Sequence, residues 1–283
     1  MIDAEHLTVQ FGERRALDDV SLHVEPGELV GIVGVAASGK TTLLKTLCLL
    51  VRPDQGRVRI GAGASASSMA MLRRPSDQTD PSDPTDRSDG IAGDAPDGSA
   101  APLLDLTTLS ARDLAAVRAR FGFSFQNLAL FDQLTAEENV SFALVRRGMA
   151  DADARLRARA QLKAVGLESA AEKLPHELSG GMRRRLALAR AMVARPEVGL
   201  YDDPFVGLDP VACARIARFI AREHREVGGV TLVAAGDPAP LFAVATRLVL
   251  LEEGSIAADL PPDEFARAAD PAVARYLGRS RAA

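Results

Sequence analysis

Apolar and polar residues alternate through Leu7-Thr8-Val9, Val20-Ser21-Leu22-His23-Val24 and Val58-Arg59-Ile60. This period of two predicts strands with one buried face. Glu28-Leu29-Val30-Gly31-Ile32-Val33 is apolar almost without interruption, as a parallel strand covered on both faces must be. Residues 40–51 then bring Leu43, Leu44, Leu47, Cys48, Leu50 and Val51 to helical spacing. The start of the chain therefore reads strands, then strand–loop–helix.

Further on, the spacing predicts helices over 111–120, 152–165, 181–194 and 210–227, with short buried strands at 198–201 and 230–234. Residues 248–251 and 254–256 suggest a hairpin, and 263–269 and 271–277 two last helices. No long repeat interrupts this order, which is that of an α/β fold. One stretch breaks the pattern. Residues 75–99 hold seven Asp, four Pro, four Ser and three Gly, with Ile91 as their one large apolar residue. Such a segment cannot bury enough apolar surface to offset its ordering entropy, so a disordered insertion spanning about 64–102 is expected.

Composition narrows the classes. Of 283 residues, 47% are apolar types and 25% charged, ordinary for a globular domain. The most apolar stretch, 227–251, is broken by Asp237, Pro238, Pro240 and Arg247, so no membrane-spanning helix is expected. Met1-Ile2-Asp3-Ala4-Glu5 lacks the basic and apolar regions of a signal peptide. Cys48 and Cys213 are too few for a disulfide framework and are expected to be buried thiols. His6, His23, His176 and His224 have no metal-ligand spacing. The net charge of −4 argues against nucleic acid as a partner; the acidic stretch carries −6 and the rest +2. Lysine is scarce, four against thirty Arg, so a lysine inside a motif carries weight.

Gly34-Val35-Ala36-Ala37-Ser38-Gly39-Lys40-Thr41 fits G-x-x-x-x-G-K-[ST] between the predicted strand and helix, with Thr42 next on that helix. The spacing lets consecutive backbone N–H groups turn inward around a triphosphate, with glycines relaxing the steric limits. Lys40 supplies a charge to the β/γ oxygens, Thr41 a hydroxyl to Mg²⁺, and the helix its positive dipole end. Val198-Gly199-Leu200-Tyr201 leads into Asp202-Asp203-Pro204. A strand ending in carboxylates delivers them to the crevice where the phosphate loop opens, Asp202 toward Mg²⁺ and Asp203 toward the attacking water. Alone, Asp-Asp-Pro reads equally well as a helix cap or turn.

Leu178-Ser179-Gly180-Gly181-Met182, followed by Leu188-Ala189-Arg190-Ala191, resembles the signature motif of ABC ATPases. Phe123-Ser124-Phe125-Gln126 looks like the family's Q-loop, and Val206-Gly207-Leu208-Asp209 like its D-loop. The resemblance implies a P-loop NTPase core with a mostly parallel sheet over residues 1–260. It also implies an N-terminal antiparallel β subdomain, a helical subdomain near 127–190 and a helical tail over 261–283. ATP and Mg²⁺ follow as cofactors, with Phe11 stacking on adenine, Gln126 serving metal and water, and Ser179, Gly180 and Gly181 reaching the γ-phosphate held by a second ATPase subunit. So do a membrane permease partner, met by residues 127–144 with Leu130, Phe131, Leu134 and Phe142, and a cytoplasmic position on the inner membrane face. Gln126 through Phe131, Glu138-Asn139-Val140, Met182 after Ser179-Gly180-Gly181, Asp203 through Pro210 and Asp270-Pro271-Ala272-Val273-Ala274-Arg275-Tyr276-Leu277-Gly278 are similar to the Mla/Mkl-type phospholipid-transport ATPases. A soluble ABC ATPase without a permease and a non-hydrolysing nucleotide-binding scaffold are the alternatives.

Three positions depart from that pattern. Asp203 stands where the family has a catalytic Glu, shortening the reach by about 1.5 Å. Gly236 stands where it has the switch-region His, and Ala37 replaces a loop glycine. Nucleotide binding is expected to survive and hydrolysis in this chain's own site to be slow.

Overall fold

The computed structural model describes residues 1–61, 103–268 and 270–282. The predicted 64–102 insertion lies outside the described residues. Strands β1 (Ile2–Phe11), β2 (Arg14–Val24), β4 (Gln55–Gly61) and β5 (Leu103–Asp105) form an antiparallel sheet in the order β2-β1-β4-β5. In its last pair, Gly61 faces Leu103 and Ile60 faces Leu104.

The second sheet has six strands. β3 (Leu29–Val33), β6 (Phe121–Ser124), β7 (Val198–Asp202), β8 (Val230–Ala235), β9 (Arg247–Glu252) and β10 (Ser255–Leu260) are ordered β10-β9-β3-β8-β7-β6. All neighbours are parallel except β10, which runs back along β9. β3, β7 and β8 are buried at every position, which explains their unbroken apolar runs.

Alternation persists inside those runs, but it sorts residues between two cores. Val30, Ile32, Leu200 and Leu232 face a layer shared with Leu7, Leu17 and helix α1 (Lys40–Leu47). Leu29, Val33, Tyr201 and Val233 face the opposite layer. That layer holds helices α3 (Ala136–Val145), α4 (Asp151–Ala164), α5 (Gly180–Met192) and α6 (Pro210–Val227), with α7 (Pro262–Arg267) and α8 (Pro271–Ala282). Helix α2 (Ala111–Arg118) packs Leu114 and Val117 into the first core.

Several expectations change. The helix predicted over 40–51 stops at Leu47, because Leu49 turns left-handed (φ 53°). Arg118 of α2 takes the freed carbonyls, donating from Nε to Cys48 O (3.1 Å) and from Nη2 to Leu49 O. Cys48 is buried as expected, whereas Cys213 is half-buried on α6. Of the four apolar residues assigned to a permease-facing surface, Phe131 and Phe142 are exposed; Leu130 and Leu134 are half-buried, Leu130 packing against the second core.

Thr135 and Glu138 form a capping box at the start of α3. Buried Asn139 clamps the preceding loop, donating to Phe131 O (3.0 Å) and Leu134 O (2.8 Å) and accepting from Phe131 N (2.9 Å).

Candidate functional site

Because β3, β8 and β7 are parallel neighbours, the loops after them open on one edge of the sheet. In the first loop, a Cβ on Gly34 (φ 153°) would come 2.3 Å from Leu251 O, and one on Gly39 (φ 109°) 2.5 Å from Ala16 O. Only glycine fits at either place. Ala37 adopts φ 64°, at a cost of about 1 kcal/mol, and Arg14 Nη2 donates to its carbonyl at 2.6 Å. Helix α1 starts at Lys40 with neither a side-chain cap nor an acidic residue in its first turn, leaving amides and dipole to an anion.

The Lys40 ammonium is buried and donates to Gly34 O and Val35 O, 2.8 Å each. Burial lowers its pKa, and the charges of Asp203 and Asp202 oppose this. Thr41 Oγ1 donates to Asp202 Oδ1 at 3.0 Å, joining α1 to the end of β7. Asp202 is 2% exposed, and its Oδ2 lacks a hydrogen-bond partner, as does buried Ser38 Oγ. Burial raises the Asp202 pKa, partly offset by the Thr41 hydrogen bond. A hydroxyl beside an unpaired buried carboxylate oxygen is a hard-oxygen donor set, which fits Mg²⁺.

Asp203 turns sharply after β7 (φ 49°), its N–H bonded to Ala234 O at 3.0 Å. Its Oδ1 accepts from the Gly236 amide at 3.2 Å, and Gly236 O accepts from Tyr276 Oη at 2.7 Å. A Cβ on Gly236 would meet nothing within 4 Å.

Phe11, Ala36, Ala37, Ser38, Gly39, Lys40, Thr41, Thr42, Gln126 and Asp203 line one open cavity of about 410 Å³. Gly34, Val35 and Asp202 join it through the Lys40 and Thr41 hydrogen bonds. Arg14 and Ala16 line the same cavity. Sequence reasoning missed both. Arg14 was findable, because it pairs with Phe11 across the Gly12-Glu13 turn.

Ser179, Gly180 and Gly181 are not brought into that cavity. Ser179 caps α5, its Oγ accepting from Met182 N at 3.3 Å. Gly181 lines a second cavity, of about 390 Å³, with Arg185, Gly207, Asp209 and Arg215. The phosphate loop and the signature segment thus present separate surfaces.

Residues 17–206 match the family described as ABC transporter. This chain belongs to the ABC transporter family. It is 34% identical over 98% of its length to the sulfate/thiosulfate import ATP-binding protein CysA of Bordetella parapertussis, covering 67% of that protein. With the Fe(3+) ions import ATP-binding protein FbpC of Agrobacterium fabrum it shares 32% identity over 98% of its length, covering 65% of the relative. The chain therefore spans about two thirds of these relatives. The fold is that of the ATP-binding cassette MJ0796 in a dimeric post-hydrolysis state bound to ADP and Pi: TM-score 0.73 and 26% identity, over 93% of this chain and 99% of that one. ATP hydrolysis coupled to transport is general to the ABC family, and MgATP is its usual nucleotide.

Proposed function

We propose that this chain is the energising subunit of an ABC transporter, binding MgATP in the 34–42 loop and pairing with a second ATPase subunit beside a membrane permease. The observation that carries this reading is the contact of Thr41 with buried Asp202, next to the Lys40 ammonium, on the cavity lined by Phe11 and Gln126. In this reading Phe11 stacks on the base, and the amides from Val35 to Thr42 surround the phosphates. Lys40 leaves the loop carbonyls for the phosphate oxygens, and Thr41, Asp202 and Gln126 hold the metal. Magnesium there neutralises phosphate charge. Asp203 orients the attacking water. Ser179, Gly180 and Gly181 close over the nucleotide of the partner subunit. With Asp203 for Glu and Gly236 for His, own-site turnover is slow, since a misplacement near 1 Å costs about a hundredfold.

The permease-facing surface centres on Phe131 and Phe142, both 41% exposed with ring centroids 4.7 Å apart. In this reading a permease docked there holds the chain on the cytoplasmic face of the membrane. Among the described residues no helix is long and apolar enough to cross one itself. The cargo we propose is lipid, on the Mla/Mkl-like segments at 126–131, 138–140, 203–210 and 270–278 and on Met182. Import of a small oxyanion or metal ion is the second reading, favoured by the names of the relatives matched over 98% of the chain.

Purification from membranes tests the whole proposal. The expected result is co-recovery of a permease with one or two kinds of ATPase subunit, and bound lipid for the lipid reading. Lys40→Ala should weaken MgATP binding at least tenfold by equilibrium dialysis; unchanged affinity would sink the nucleotide site.

A further inference from the structure

Gly236 occupies the turn after β8, where it lacks a side chain and has the widest backbone freedom of any residue. Something else must fix that turn if Asp203, which accepts the Gly236 amide hydrogen bond at 3.2 Å, is to hold one position. The C-terminal helix supplies it. Asp270 caps α8 through the Ala272 and Val273 amides. Val273 and Tyr276, three residues apart on one face, are buried in the second core. The Tyr276 ring meets Phe265 of α7 edge-on, centroids 6.3 Å apart, and its hydroxyl donates to Gly236 O at 2.7 Å.

We propose that Tyr276 is a positioning residue of the hydrolytic site, holding the Gly236 turn and, through the Gly236 amide, the Asp203 carboxylate. This rests on the reading above, in which Asp203 orients the attacking water. The device brings α8 into the catalytic edge of the sheet within a single chain. A phenol is protonated at neutral pH, and burial raises the Tyr276 pKa further, so the hydroxyl remains a donor. The hydroxyl thereby ties α8 to the backbone immediately after β8.

The test compares Tyr276→Phe with the unaltered full-length chain in single-turnover hydrolysis of γ-labelled MgATP, alongside equilibrium binding of MgATP. The phenyl ring preserves the packing and removes one donor. The expected result is about a tenfold slower hydrolytic step, with MgATP affinity within about twofold. Combining Tyr276→Phe with Asp203→Asn should add little to the loss from Asp203→Asn alone, because both act through one carboxylate. Phe265→Leu loosens the same seat and leaves the hydroxyl in place; it should lower thermal stability and leave the hydrolytic step within about twofold. Equal slowing by Phe265→Leu and Tyr276→Phe would overturn the proposal in favour of packing. So would an unchanged hydrolytic step in Tyr276→Phe, or a chain that binds MgATP and never cleaves it. Loss of MgATP binding by the unaltered chain would instead overturn the nucleotide site itself.

Discussion

Asp202 shows what a ligand-ready residue costs. Its carboxylate is almost wholly buried, with Thr41 on one oxygen and nothing on the other. An unpaired buried oxygen of this kind costs about 1–3 kcal/mol. Because burial raises its pKa, the folded chain holds this proton more tightly than the unfolded chain does. The group therefore erodes stability progressively as pH rises from the unfolded value through the folded one, and the full deficit is present above it. Asp202→Asn keeps an acceptor for Thr41 and discards the charge. At pH 7 it should stabilise the nucleotide-free chain by about 1–2 kcal/mol in urea unfolding and remove the Mg²⁺ dependence of ATP binding. A destabilised variant would mean the charge is compensated by something other than a ligand.

Among elements, those whose information is local were legible in the sequence. β3 and α1 could be read from an apolar run, a glycine-rich turn and helical spacing within two dozen residues. Helix α6 keeps the bounds that periodicity gives it, because Asp209 caps one end and Gly228 closes the other. The end of α1 was not legible. Its apolar run continues to Val51, and the residue that takes its last carbonyls, Arg118, lies 70 positions from Cys48. Tyr276 was hidden for the same reason: only the docking of α8 against β10 and the second core brings its hydroxyl to Gly236. Within the candidate site, the phosphate loop and Asp202 were legible as motifs. Arg14 was within reach through its pairing with Phe11 across the turn, whereas Ala16, further along β2, carried no such signal. The helix α3 makes a local device testable. Thr135→Ala removes the capping box, and stability should fall by about 1 kcal/mol in thermal or urea unfolding. Phosphate-loop affinity for MgATP should not change, because the cap lies on a different element.

For the whole molecule, the two cavities decide the working unit. One holds the phosphate loop and the other Gly181, and no residue lines both. If the nucleotide is gripped by both surfaces, it must lie between two chains. Replacing Ser179 by Arg puts bulk at the exposed start of α5 and leaves the 410 Å³ cavity untouched. Ser179→Arg should therefore abolish ATP-dependent dimerisation in analytical ultracentrifugation, while each chain binds MgATP as before. Dimers that persist would show that association does not use the signature surface. Under the proposed function, this division would let one chain serve two roles: a partner with a faster site would use this chain's α5 while this chain's own nucleotide turned over slowly.

The pairing of Gly61 with Leu103 has a consequence for how such a chain can diversify. The polypeptide leaves the antiparallel sheet and rejoins it at one point, so the span between the two attachment points is fixed whatever the intervening length. Doubling that length costs only about 0.6 kcal/mol of closure entropy. A change in the number of residues between these strands therefore need not disturb the pairing of Gly61 with Leu103.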